Sequence, residues 1–304
     1  MGKDSAIAWT DHTFNPWWGC ARVSPGCENC YAETFSARVG HGVRLPQIWG
    51  VDAERKPMSE AYWRQPIKWN REAEKAGVRR RVFCASMADV FEVGRHGREA
   101  FPEERGFAAS EARMAARARL WPLIESTPML DWLLLTKRPE NVEALVPWGA
   151  LWPENVWLGT TVEDERRAAE RIPHLLRVPA RVRFLSCEPL LEAVELGLLG
   201  TVPKGISPRH SGVYEHIDWV IVGGESGPGA RPFELAWARD IVGQCKAAGV
   251  ACFVKQLGSR PYVNVSERIH GMGGVRLELV DHKGGDPAEW PPELRLREWP
   301  EVSP

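Results

Sequence analysis

Seven short apolar runs separated by helical patterns constrain this chain more than any other feature. They are Thr13 to Gly19, Arg81 to Ser86, Trp132 to Lys137, Val156 to Thr161, Val182 to Cys187, Trp219 to Gly224 and Cys252 to Gln256. Continuous apolar runs of this length suit strands buried on both faces, as in a parallel sheet. Helical signatures fill the gaps: Ser59 to Lys75, interrupted at Pro66; Ala108 to Glu125, with Leu120, Leu123 and Ile124 as a buried stripe; Glu163 to Leu176; Glu234 to Ala248. Pro139 suits the first turn of a further helix. This alternation predicts right-handed βαβ units. Six or seven of them predict an α/β fold with a partial, TIM-like (β/α) barrel of parallel strands rather than a flat sheet.

Two stretches break the rhythm. Gly94 to Phe107 reads as a charged excursion, and Gly200 to His216 as a polar loop punctuated by Pro and Gly. From Pro261 the pattern dissolves into a tail containing GMGG, HKGGDP and EWPPEL. The expected organisation is a barrel domain over 1–260 and a C-terminal appendage over 261–304 packed on it. A formal net charge of -1 gives no global electrostatic case for nucleic acid or membrane and leaves only a local basic groove open. No apolar run approaches the roughly 20 residues that span a bilayer. The start, MGKDSAIAW, lacks the basic-then-apolar layout of a signal peptide, and Ala6 breaks the acylation pattern. Seven cysteines, an odd number without a secretion signal, argue against a disulfide framework. The expectation is a cytoplasmic chain with reduced thiols and no membrane partner.

Three of the seven cysteines, Cys20, Cys27 and Cys30, fall in the segment GCARVSPGCENCYAE, with Gly19, Pro25 and Gly26 supplying tight turns. Structural zinc wants four closed ligands, and His12 can complete a Cys3His set. Three cysteines without a fourth suit a [4Fe–4S] cluster that leaves one iron open to another ligand. Three unligated thiols are the remaining reading.

In a parallel barrel the functional groups gather at the C-terminal ends of strands. The candidates there are Ser86 and Asp89 after the second run, Lys137 (beside Arg138) after the third, and Thr160 and Glu163 after the fourth. Cys187 and Glu188 end the fifth, and Lys255 and Gln256 the seventh. Glu163 can equally be a first-turn acid complementing a helix dipole. Lys137 and Arg138 suit a carboxylate or phosphate. Cys187, expected to point into the barrel, is a candidate hydrogen-atom donor because an S–H bond is weak; its bland alternative is a packed core thiol. The loop GGESGPGARP, Gly223 to Pro232, follows a strand and precedes a helix, where backbone amides can cradle an anion.

Three cysteines after a first strand, opening a βα series, resemble the radical S-adenosylmethionine superfamily. The segments NPWWGCARVSPGCENCYAE, SMADVFE, LLLTKRPEN, VWLGTTVEDE, RFLSCEPLL, WVIVGGESGPGARP, FVKQLG and KGGDPAEWP resemble more closely an uncharacterised phage-associated family built on the same C-x6-C-x2-C spacing. The wider superfamily spaces its cysteines C-x3-C-x2-C with an aromatic directly before the third; here Asn29 holds that place and Tyr31 follows. The resemblance implies a [4Fe–4S] cluster on Cys20, Cys27 and Cys30, with S-adenosylmethionine on the open iron. Only the three thiolates carry over by position; Tyr31, Gly223, Gly224 and Glu225 join the strand-end residues Ser86, Asp89, Lys137, Thr160 and Glu163 as cofactor-pocket candidates, and the strand-end residues Cys187 and Glu188 are the catalytic candidates. The implied activity is generation of a 5′-deoxyadenosyl radical that modifies a substrate, with a nucleic-acid base or nucleotide as candidate and an electron donor as partner. The alternative is a non-catalytic module, stapled by zinc or a cluster, that binds nucleic acid or protein. An electron-transfer protein is a third class, for which so large a polar-rimmed barrel is unnecessary.

Overall fold

The computed structural model describes residues 2–39, 48–198, 216–264 and 274–301. Seven strands, β1 (His12–Phe14), β2 (Arg80–Cys84), β3 (Leu130–Thr136), β4 (Val156–Thr161), β5 (Arg183–Cys187), β6 (Trp219–Gly223) and β7 (Ala251–Gln256), form one sheet whose strand order follows the sequence. The pairs β1–β2, β2–β3, β5–β6 and β6–β7 are parallel. The main helices are α1 (Tyr31–Val39), α2 (Gln65–Ala76), α3 (Phe107–Glu125), α4 (Glu165–Leu175) and α5 (Leu235–Ala248). The fold is therefore α/β, with the sequential strand order of a partial TIM-like barrel. Leu130, Trp132, Leu133 and Leu134 of β3 are all wholly buried, as strands covered on both faces must be.

Where elements differ from their sequence patterns, proline accounts for much of it. The first apolar run contributes only Thr13 and Phe14 to the sheet, because Pro16 has no N–H to continue the ladder. Trp17–Trp18 instead pairs antiparallel with Lys56–Pro57. The Ser59 to Lys75 pattern divides into a short helix, Glu60–Trp63, capped by Ser59, and α2, which carries Pro66 in its first turn. Pro139 opens a 3-10 turn, Pro139–Asn141, that runs into Val142–Leu145. The expected polar loop before β6 lies outside the described residues apart from its last residue, His216, and so does most of GMGG.

The chain packs as two compact units: Met1–Gly159 with Pro179–Arg181, and Thr160–Val178 with Val182–Pro304. In the first, Phe14 sits against the rings of Tyr62, Trp63 and Trp132. In the second, Trp219 bridges Phe184 and Phe253 along one face of β5, β6 and β7. The tail covers the outer edge of β7: Val254 N–H donates to Leu296 O at 2.8 Å and Glu298 N–H to Cys252 O at 2.9 Å. A covered edge offers no unpaired ladder to another chain. Trp290, 1% exposed, anchors this tail through a 3.0 Å hydrogen bond to Gly284 O. No helix among the described residues is long and apolar enough to cross a membrane.

Candidate functional site

The three thiols follow β1 directly. Asn15 turns the chain out of the sheet by accepting from Met87 N–H at 2.7 Å and donating to Ser86 Oγ at 3.2 Å. Gly19 then donates to Met87 O at 3.0 Å. Its φ is +111°, and a Cβ there would lie 2.2 Å from Ile48 O, so only glycine fits. Cys20 accepts from Gly50 N–H through its carbonyl at 3.0 Å. Cys27 closes the 3-10 turn Pro25–Cys27, and Cys30 immediately precedes α1. One loop-to-helix segment thus carries all three sulfurs.

Two buried ion pairs hold the Cys20 end of this segment. Arg138 donates to Asp89 at 2.8 Å, to Ala21 O at 2.8 Å and to the Cys20 sulfur at 3.8 Å. Arg55 pairs with Glu92 at 2.6 Å, both side chains being wholly buried. Glu92 also accepts from Ala21 N–H at 3.0 Å, so Ala21 is gripped at its N–H by one pair and at its carbonyl by the other. Asp89 is completed by Thr136 Oγ1 at 2.8 Å and by the backbone N–H groups of Phe91 and Lys137. Charges buried this deeply persist only when paired and fully hydrogen-bonded, a condition this network meets. Burial pushes the Cys20 thiol up to about 12; Glu92 adds to the rise and Arg138 opposes it. Burial works against the charge of Arg138, but Asp89, Cys20 and Glu92 outweigh it and hold the guanidinium above its ordinary range.

The donor set is three thiols, the soft ligands that iron–sulfur clusters take. As the side chains stand, no group of three His, Cys, Asp or Glu among the described residues is in metal-holding geometry. His12, the fourth ligand of the zinc alternative, is committed elsewhere. Its ring stacks on Trp69 at 4.6 Å, and its Nδ1 accepts from Asp4 N–H at 3.4 Å. It lines a cavity of about 370 Å³ with Lys3, Asp11, Glu72 and Arg80, at the N-terminal end of β1 and β2. Burial lowers its pKa, against the pull of Asp11 and Asp4.

The first unit brings Tyr31, Ser86, Asp89 and Lys137 to the mount of the cysteine loop. Tyr31 is half-exposed and its hydroxyl donates to Ser86 O at 2.7 Å. Asp89 faces Arg138 rather than open space. Arg55 and Glu92 were not apparent as candidates; the only sequence signal was two acids, Asp89 and Glu92, three residues apart in the apolar segment MADVFE.

The second unit holds the remaining candidates. Thr160 is wholly buried in β4. Glu163 is neither a dipole acid nor an open carboxylate: it is wholly buried and pairs with Arg171 at 2.7 Å, while Asp164 caps α4. Cys187 differs from its expected placement. Its thiol is fully buried beside Cys245 on the buried face of α5, and burial pushes its pKa well up. Glu188 pairs with Lys255 at 3.3 Å. Gly224 allows a close approach of backbone, since a Cβ there would lie 2.5 Å from Leu257 O. Both oxygens of Glu225 are engaged by Arg231, at 2.7 Å through Nη2 and 2.9 Å through the backbone N–H, so this acid closes its own loop.

No curated protein and no solved structure matches the chain. A protein-family model does, over residues 4–283, which takes in the cysteine loop and all seven strands of the main sheet. The chain belongs to the DUF5131 family, proteins of unknown function.

Proposed function

We propose that the chain is a radical S-adenosylmethionine-type enzyme whose [4Fe–4S] cluster rests on Cys20, Cys27 and Cys30. The observation that carries the reading is the built mount: a three-thiol loop after the first strand of a parallel sheet, with Arg138 donating to the Cys20 sulfur. Hydrogen bonds to cluster sulfurs and their burial set cluster properties, and outer-shell groups orient the ligands. When bound, such a cluster supplies an electron to S-adenosylmethionine and so yields a 5′-deoxyadenosyl radical. The chain's own part is to fix Cys20 through Ala21, to keep a cation beside its sulfur and to seat Cys30 at the start of α1. A nucleobase or nucleotide is the proposed substrate class, on the resemblance to phage-associated proteins.

Iron and sulfide analysis of anaerobically reconstituted protein tests the cluster. The expected result is about four irons per chain, lost in Cys20→Ala, Cys27→Ala and Cys30→Ala and retained in Cys245→Ala. Stoichiometric zinc without iron, in protein never exposed to air, removes the proposal.

A further inference from the structure

Glu188, Gly223 and Lys255 stand side by side at the C-terminal ends of β5, β6 and β7. Gly223, between the two charged residues, has no side chain to separate them. A Cβ built on it would lie 3.1 Å from Glu188 Oε1, and Lys255 Nζ is 3.3 Å from Glu188 Oε2. Lys255 reaches across because the ladder is irregular there. Val254 pairs with Val222 and Gln256 with Gly223, which leaves Lys255 as the extra residue. Bulges of this kind re-aim a side chain at the end of a strand. The alternation of β6 puts Gly223 on the face opposite Val222, whose neighbour in register is Cys187, so this cluster is distinct from the buried thiols.

The charges of the pair balance, but its hydrogen bonding does not. Glu188 Oε1 is buried and no donor reaches it. An acceptor left this way has lost its hydrogen bonds to water without replacement, which is unfavourable. The Glu188 and Lys255 side chains remain 13% and 26% exposed, so a molecule arriving beside Lys255 can meet the Glu188 carboxylate.

We propose that Glu188, Gly223 and Lys255 form a binding site for a neutral group that presents an N–H donor beside a lone-pair acceptor, as the edge of a nucleobase does. Glu188 accepts the N–H, Lys255 donates to the neighbouring acceptor, and Gly223 puts no side chain against the carboxylate. The ligand is neutral because the pair already cancels itself, and a net charge would leave one member uncompensated. The site lies within the second unit and does not depend on the cysteine loop holding a cluster. It agrees in class with the substrate proposed above without resting on it.

Calorimetric titration of the full-length chain with uridine and adenosine tests the site, with N3-methyluridine, N6,N6-dimethyladenosine and glycine as controls. At least one nucleoside binds, and its methylated counterpart, which lacks the N–H, binds at least roughly tenfold more weakly. Lys255→Met and Gly223→Ala each weaken that binding by about tenfold or more while thermal unfolding stays cooperative. If Gly223→Ala does not fold, the half-exposed Lys255 carries the test. The proposal is overturned by equal binding of a nucleoside and its methylated form, by preference for glycine, by unchanged binding to Lys255→Met, or by no nucleoside binding at about 10 mM.

Discussion

Arg138 places one guanidinium nitrogen 2.8 Å from Asp89 and 3.8 Å from the Cys20 sulfur, while its other terminal nitrogen donates to Ala21 O at 2.8 Å. One side chain from the end of β3 thus touches both the sulfur and the backbone of the loop that follows β1. Its planar fork makes this possible, and lysine cannot reproduce it.

Arg138→Gln removes a donor and a positive charge from beside the sulfur. In protein that holds a cluster, the midpoint potential should shift to more negative values, because donors to ligand sulfur favour the reduced, more negative state. Arg138→Lys, which retains charge without the fork, should recover only part of the shift. Protein-film voltammetry checks this; equal potentials in all three proteins would leave Arg138 a purely structural residue.

Arg55 and Glu92 are a wholly buried pair, so removing one partner strands the other. Arg55→Met alone should cost about 3–5 kcal/mol in denaturant unfolding. The double variant Arg55→Met, Glu92→Leu should cost less than the two single costs added. Strict additivity would show that the pair is not coupled.

Gly19→Ala puts a methyl group where Ile48 O stands 2.2 Å away, at a φ that side chains rarely adopt. The variant should lose roughly 1–3 kcal/mol and show faster hydrogen exchange at the Gly19 and Gly50 amides, whose bonds pin the loop. A wild-type melt and exchange pattern would contradict the close approach.

Burial lowers the His12 pKa below its unfolded value of 6.5, so the unfolded chain binds the proton more readily than the folded one. The stability this residue contributes is intact above the unfolded pKa and falls as pH drops below it towards the folded value. His12→Phe retains a ring against Trp69, and its melting temperature should decline less than wild type between about pH 7 and about pH 5. Parallel acid-side slopes for the two proteins would remove His12 from the account.

The strands were legible because burial on both faces leaves a continuous apolar run, as in Val156–Thr161, where pattern and element coincide. The three thiols were legible by their spacing. The mount was not: Arg55 and Glu92 lie 37 residues apart, and Arg138 is 118 residues from Cys20. No local pattern joins such positions, since they meet only when β1, β2 and β3 pair. Glu163 illustrates the same limit, because its partner Arg171 sits two turns along α4 and gives it a buried ion pair that neither local reading contained. Cys187 depended on strand face, which a fully apolar strand does not encode by alternation.

The most direct test of the proposed function is the paramagnetic resonance spectrum of the dithionite-reduced, reconstituted protein with and without S-adenosylmethionine. The account predicts that S-adenosylmethionine changes the cluster signal and that 5′-deoxyadenosine is released slowly even without substrate. An intact cluster whose spectrum ignores S-adenosylmethionine, with no 5′-deoxyadenosine formed, would contradict it.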